Sequence, residues 1–170
     1  MYYHGTHYYF EDGFELKSKA EYTSNESVKA LESLFEEMKP INKISRKEAI
    51  FLCISPDDID SCGGYTDVIY NVNADSVEKS DLAWYSKAEE YLEKNEIKKA
   101  KECAKKYWSG QEFDIKSHSC YELRTKSAKI INIFELNIDK EELTKIEKIK
   151  IEDFLKTKTS PKTIKIKRKN

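Results

Sequence analysis

The chain has 170 residues, of which 39% are hydrophobic, 12% aromatic and 36% charged, and its formal net charge is −1. This length suits one domain with one core, and the charge density describes a heavily solvated surface. No apolar run approaches the ~20 residues that span a bilayer, and the N-terminus lacks the basic and apolar parts of a secretion signal, so a cytoplasmic, non-membrane protein is expected.

The opening Met1-Tyr2-Tyr3-His4-Gly5-Thr6-His7 reads as a strand that ends on a histidine and a glycine. A residue without Cβ at such a strand end lets a ligand come close to the backbone. Glu11-Asp12-Gly13-Phe14 is a turn signal. Asn25 is placed to cap a helix whose apolar residues Val28, Leu31, Leu34, Phe35 and Met38 follow helical spacing, with Pro40 closing it. Ala49 to Ile54 is an apolar run of strand length and predicts a buried strand.

Beyond the glycine loop Ser61-Cys62-Gly63-Gly64-Tyr65, alternation from Asp67 to Ala74 predicts a half-buried strand. A helix is predicted from Asp81 through Leu92, and another from Glu96 to about Tyr107, ended by Gly110. Cys120 to Thr125 and Lys129 to Leu136 read as two strands, most simply a hairpin, with other pairings open. From Asp139 onward the spacing of Leu143, Ile146 and Ile149 is helical, while Lys148 to Ile151 alternates as a strand does, so both remain open. The order of elements points to a mixed α+β domain.

The chain closes on seven basic residues between Lys156 and Asn170 with no acidic one, which leaves the first 155 residues a net charge of −8. Such a tail can contact nucleic acid or an acidic partner, and a frayed, solvated terminus is the plainer account.

The residue inventory narrows the chemistry. With only His4, His7 and His118, and with alternation turning His4 and His7 to opposite faces, no metal ligand set is expected. Cys53, Cys62, Cys103 and Cys120 form no CxxC pair, so reduced thiols are expected, and Cys120 near His118 reads as a buried filler rather than a nucleophile. No glycine-rich nucleotide loop of the GxxxxGKS or GxGxxG kind is present.

YYHGTH at the start, AIFLC after an arginine, DVIYNVNA followed by DLAWY, the YWSG segment and the closing CYELRTKSAKIINI together resemble ADP-ribosyltransferase-like domains, over roughly residues 1 to 136. The resemblance implies a catalytic domain over 1–136 and a C-terminal extension with a basic tail over 137–170. The implied fold is α+β, with two small β-sheets flanking an NAD cleft. It implies that His4 on the first strand holds the nicotinamide-side ribose of NAD, and that Glu122 on a late strand is the catalytic carboxylate.

Breaking the glycosidic bond expels neutral nicotinamide and leaves an oxocarbenium-like ribose, which a fixed carboxylate stabilises. Glu122 is also placed by the resemblance to position or deprotonate the nucleophile. Gly5 and Thr6 are expected to support the nicotinamide, Tyr65 or else Tyr70 to stack on it, and Arg46 to pair with the pyrophosphate. Cys120 stands two residues before Glu122, where members that modify arginine carry a second glutamate, so arginine is not the expected acceptor.

The implied activity is mono-ADP-ribosylation of a protein, RNA or DNA acceptor by a toxin or an effector of conflict between bacteria and phages, with the basic tail leaning towards nucleic acid. An RNA 2′-phosphotransferase-like NAD enzyme and a non-catalytic binding module for protein or nucleic acid are the alternatives.

Overall fold

The computed structural model describes residues 1–18, 28–137 and 164–165. The first strand, β1 (Tyr2–Thr6), runs antiparallel to β5 (Val68–Asn73), with Tyr2 opposite Val72 and Thr6 opposite Val68. β5 carries β8 (Ser127–Leu136) on its other edge, and β8 carries β3 (Glu15–Lys17), giving a four-stranded sheet in the order β1-β5-β8-β3. A second sheet has the order β4 (Ile50–Leu52), β7 (Tyr121–Thr125), β6 (Glu78–Asp81). β2 (Tyr8–Tyr9) pairs with β9 (Ile164–Lys165), so two residues of the basic tail return to the N-terminal segment. The rest of that tail, the helix or strand expected after Asp139, and the cap expected at Asn25 lie outside the described residues.

Period-two alternation decides what each sheet faces. In β5, Val68, Tyr70 and Val72 turn into a core that also receives Ile50 and Leu52 from β4, Leu123 from β7, and Ala128 and Ile130 from β8. This core lies between the two sheets. On the opposite face of β5, Ile69 packs with Cys53, Ile59 and Cys62.

The far face of the second sheet carries Glu122 and Arg124 and is covered by three helices, α1 (Lys29–Met38), α2 (Ala83–Glu93) and α3 (Ile97–Ser109). Their apolar stripes meet one another. Leu31, Leu34 and Phe35 of α1 pack with Trp84 and Ala88 of α2 and with Ala100, Ala104, Tyr107 and Trp108 of α3.

The helix boundaries follow local chemistry. Buried Asp81 accepts the Ala83 N–H at 3.0 Å and so satisfies a donor at the start of α2, while the same carboxylate accepts the N–H groups of Phe113 and Cys120. Gly110, at φ 76°, ends α3 in the left-handed conformation, and the Gln111 N–H returns to the Lys106 carbonyl at 3.1 Å.

The expected hairpin between the last two predicted strands does not form. β7 is filled on both edges by β4 and β6, and β8 crosses at Lys126 into the other sheet, between β5 and β3. Thr125 makes the corner by donating its hydroxyl to the Ser127 carbonyl at 2.9 Å. The chain is thus α+β, and among the described residues no helix is long and apolar enough to cross a membrane.

Candidate functional site

The two sheets touch edge to edge where Tyr3 and Cys53 exchange backbone hydrogen bonds of 2.9 Å. Beyond that bridge β1 and β4 part, and the gap opens into a cleft of about 1050 Å³. His4, Gly5 and Thr6 line it from β1, Ile50 and Phe51 from β4, Phe10, Phe14 and Leu16 from the segment around β3, and Cys62 to Tyr65 from the glycine loop. A concave, aromatic-rich cavity with few polar groups is the usual form of a small-molecule site.

His4 lies in the cleft wall. Its Nδ1–H donates to the Phe51 carbonyl oxygen at 3.0 Å, which ties the first strand to β4 and leaves Nε2 as the ring's acceptor. Burial lowers the His4 pKa below its ordinary value, against the opposing effect of the Phe51 bond, so the ring is neutral at physiological pH.

The unfolded chain therefore takes up a proton near pH ~6.5 that native His4 refuses. This part of the stability is complete above that pH and is lost as the pH falls from there through the lowered native pKa. The denaturation midpoint is expected to decline across that window in the wild type, with a shallower decline in His4→Gln. Equal slopes for the two proteins would show that His4 is not held neutral.

Gly5 has a different use from the expected one. A Cβ there would collide with the Ile59 side chain and the Tyr65 carbonyl oxygen, so the missing side chain admits the protein's own loop and not a ligand. Gly64 is packed in the same way, with Ile59 atoms 2.8 and 3.1 Å from where its Cβ would lie. Gly5→Ala is expected to lose about 1–3 kcal/mol of stability, the range for overpacking at a tight contact, read from chemical denaturation. A loss below about 0.5 kcal/mol would mean that the loop yields freely.

Arg46 and Glu122 meet in a buried polar cluster under the helices. Arg46 Nη1 donates to both Glu122 carboxylate oxygens at 2.6 Å and to the Tyr107 hydroxyl at 2.7 Å, while Nε donates to both oxygens of Glu32 at 3.2 Å. The Tyr107 hydroxyl donates to Glu122 and accepts from Arg124 Nη1, whose Nη2 donates to Ser80 at 3.0 Å. The Arg46 guanidinium lies over the Tyr85 ring at 4.5 Å, and that of Arg124 lies over Trp108 at 4.5 Å.

Burial is the largest single influence on Arg46 and works against its charge, but Glu122, Tyr107, Glu32 and Tyr85 together outweigh it, and the pKa stands well above its ordinary value. Tyr107 is raised by burial first and by Glu122 second, so it stays a neutral donor. In β7 the alternation that sends Leu123 into the core between the sheets sends Glu122 and Arg124 to the helix side.

His4, Gly5, Thr6 and Tyr65 thus share one cleft, while Arg46 and Glu122 share the adjoining cluster. No hydrogen bond or ion pair joins His4 to Glu122 among the described residues. The two places touch through their walls. Arg46 lies 5.2 Å from the centre of the Phe51 ring, and the Cys62 thiol, its pKa raised first by Cys53 and by burial, is raised further by the Glu122 charge; both Phe51 and Cys62 line the cleft.

Arg46, expected to pair with a pyrophosphate, has its Nε engaged by Glu32 and its Nη1 by Glu122 and Tyr107. Tyr70, the alternative stacking residue, is fully buried, and its hydroxyl oxygen accepts the Phe10 N–H at 2.7 Å. That leaves Tyr65, 55% exposed, as the accessible aromatic of the two.

Sequence reasoning did not assign His7, whose Nδ1 bonds the buried carboxylate of Asp67 and whose ring lies against Tyr65. The pairing spans 60 residues, so no local pattern in the sequence marks it. Comparison with family models, curated proteins and solved structures found no match to this chain.

Proposed function

We propose that the cleft between β1 and β4 binds NAD and that the chain is a mono-ADP-ribosyltransferase of the ADP-ribosyltransferase-like fold, transferring ADP-ribose to a macromolecular acceptor. The observation that carries this reading is His4, with Nδ1 committed to the Phe51 carbonyl, in the lining of a cleft of about 1050 Å³. An uncharged imidazole with an acceptor nitrogen suits a sugar hydroxyl better than a phosphate. The aromatic lining suits flat heterocyclic rings.

In this reading Glu122 stabilises the oxocarbenium-like ribose from just behind the cleft wall. To do so it must exchange its bond with Arg46 for a sugar hydroxyl. A pyrophosphate is the anion that would take the guanidinium in return, since two of its oxygens match the guanidinium fork.

One observation favours a second reading, a binding module without turnover: Glu122 is 1% exposed and both its oxygens are engaged. The RNA 2′-phosphotransferase-like alternative asks for cations around His4. The one cation that β1, β3 and β4 contribute to the lining is Lys17, which is paired with Glu15 at 3.1 Å.

Incubation with radiolabelled NAD and separate protein, RNA and DNA acceptors, with nicotinamide release followed in parallel, tests the proposal. Label on a macromolecule together with released nicotinamide supports transfer. Equilibrium binding of NAD without release selects the binding module, and absence of both overturns the NAD site.

A further inference from the structure

Tyr65 is half exposed, yet its ring is anchored. It lies on the His7 imidazole with ring centroids 3.4 Å apart and planes tilted by 35°. His7 is in turn bonded through Nδ1 to the carboxylate of Asp67, whose side chain is 1% exposed. The backbone beside this carboxylate is fixed as well, since the Asp67 carbonyl accepts the Asn137 N–H at 2.8 Å and the Thr66 carbonyl accepts the Asn137 side-chain amide at 2.7 Å. A buried carboxylate thus orients an imidazole, and the imidazole backs an aromatic ring that lines the cleft.

We propose that His7 and Asp67 are positioning residues that hold Tyr65 as a stacking wall for a flat cationic heteroaromatic ring, the pyridinium of oxidised NAD. The assignment of that ring rests on the NAD reading above. A tyrosine in a loop with two glycines would lose conformational freedom on stacking, and a ring already held from behind has less to lose. The electron-rich face of tyrosine attracts a cation. The pyridinium of NAD carries that charge, whereas the dihydropyridine of NADH is neutral, so the anchored ring discriminates between two ligands that otherwise present the same groups.

Calorimetric titration of NAD and NADH into the wild type, Tyr65→Ala, His7→Ala, Asp67→Ala and Asp67→Asn tests this. The wild type is expected to prefer NAD roughly tenfold, the scale of one cation–ring contact. Tyr65→Ala should abolish the preference, and His7→Ala and Asp67→Ala should reduce it to about threefold or less with NADH affinity unchanged. Asp67→Asn, which still accepts the imidazole N–H, should retain most of it.

A merely structural role would weaken both ligands alike and leave the ratio intact. Should Asp67→Ala not fold, His7→Ala at its half-buried position carries the test. Preference for NAD surviving in folded His7→Ala overturns the proposal while the NAD reading stands, and failure of the wild type to bind either dinucleotide removes both.

Discussion

Replacing Arg46 by leucine is expected to destabilise the protein by about 3–5 kcal/mol, the cost of leaving a buried charge without its partner. Two carboxylates depend on this guanidinium, Glu122 and Glu32, and both are buried. Tyr85 donates to Glu32 at 2.7 Å and Tyr107 to Glu122, and Arg124 Nη1 stands 3.4 Å from Glu122, so both acids retain a donor, and Glu122 a second guanidinium, but each loses its pairing with Arg46. The double variant Arg46→Leu with Glu122→Leu should recover part of the loss, because two apolar groups strand less charge than one broken pair. Denaturant titration checks this. A single variant within about 0.5 kcal/mol of wild type would show that the cluster contributes little to the fold.

Glu122→Gln is the second large effect. If Glu122 stabilises the sugar cation, removing its charge at nearly constant shape should lower NAD turnover by a factor of about 10²–10³, as the loss of one preorganised electrostatic group does. Stability should fall too, since Arg46 then keeps only Glu32 as a carboxylate partner. The two consequences separate when turnover is measured at a temperature where the variant is fully folded and NAD affinity is measured on the same sample. Retained affinity with lost turnover assigns Glu122 to the chemistry. Unchanged turnover confines it to the polar cluster that fastens the helices to the second sheet.

Elements with a strong apolar period were legible in the sequence. The stripe Leu31, Leu34 and Phe35 marks α1, the alternation of Val68, Tyr70 and Val72 marks β5, and Gly110 marks the end of α3. β6 was not legible, because Glu78-Lys79-Ser80-Asp81 has no apolar residue. Ser80 and Asp81 are buried there for polar reasons, one bonded to Arg124 and the other to three backbone N–H groups. β3 was missed because it is three residues long and buries only Leu16.

The hairpin was misread because alternation reports which face a residue takes and not which strand lies beside it. The candidate site divides in the same way. His4 and its cleft follow from a local string of residues, whereas the Arg46–Glu122 pair spans 76 residues and the His7–Asp67 pair 60, distances over which no spacing rule operates. Gly5 was legible as a close approach, but what approaches it is the loop at Ile59 and Tyr65.

The central claim is that NAD occupies the cleft and that His4 accepts one of its hydroxyls. Calorimetric titration of NAD into wild type and into His4→Ala, with folding of both confirmed, tests it most directly. The account predicts saturable binding to the wild type at one site per chain and an affinity roughly tenfold or more weaker in His4→Ala, the scale of one or two lost hydrogen bonds. Equal affinity in the two proteins, or no binding to the wild type, would contradict it.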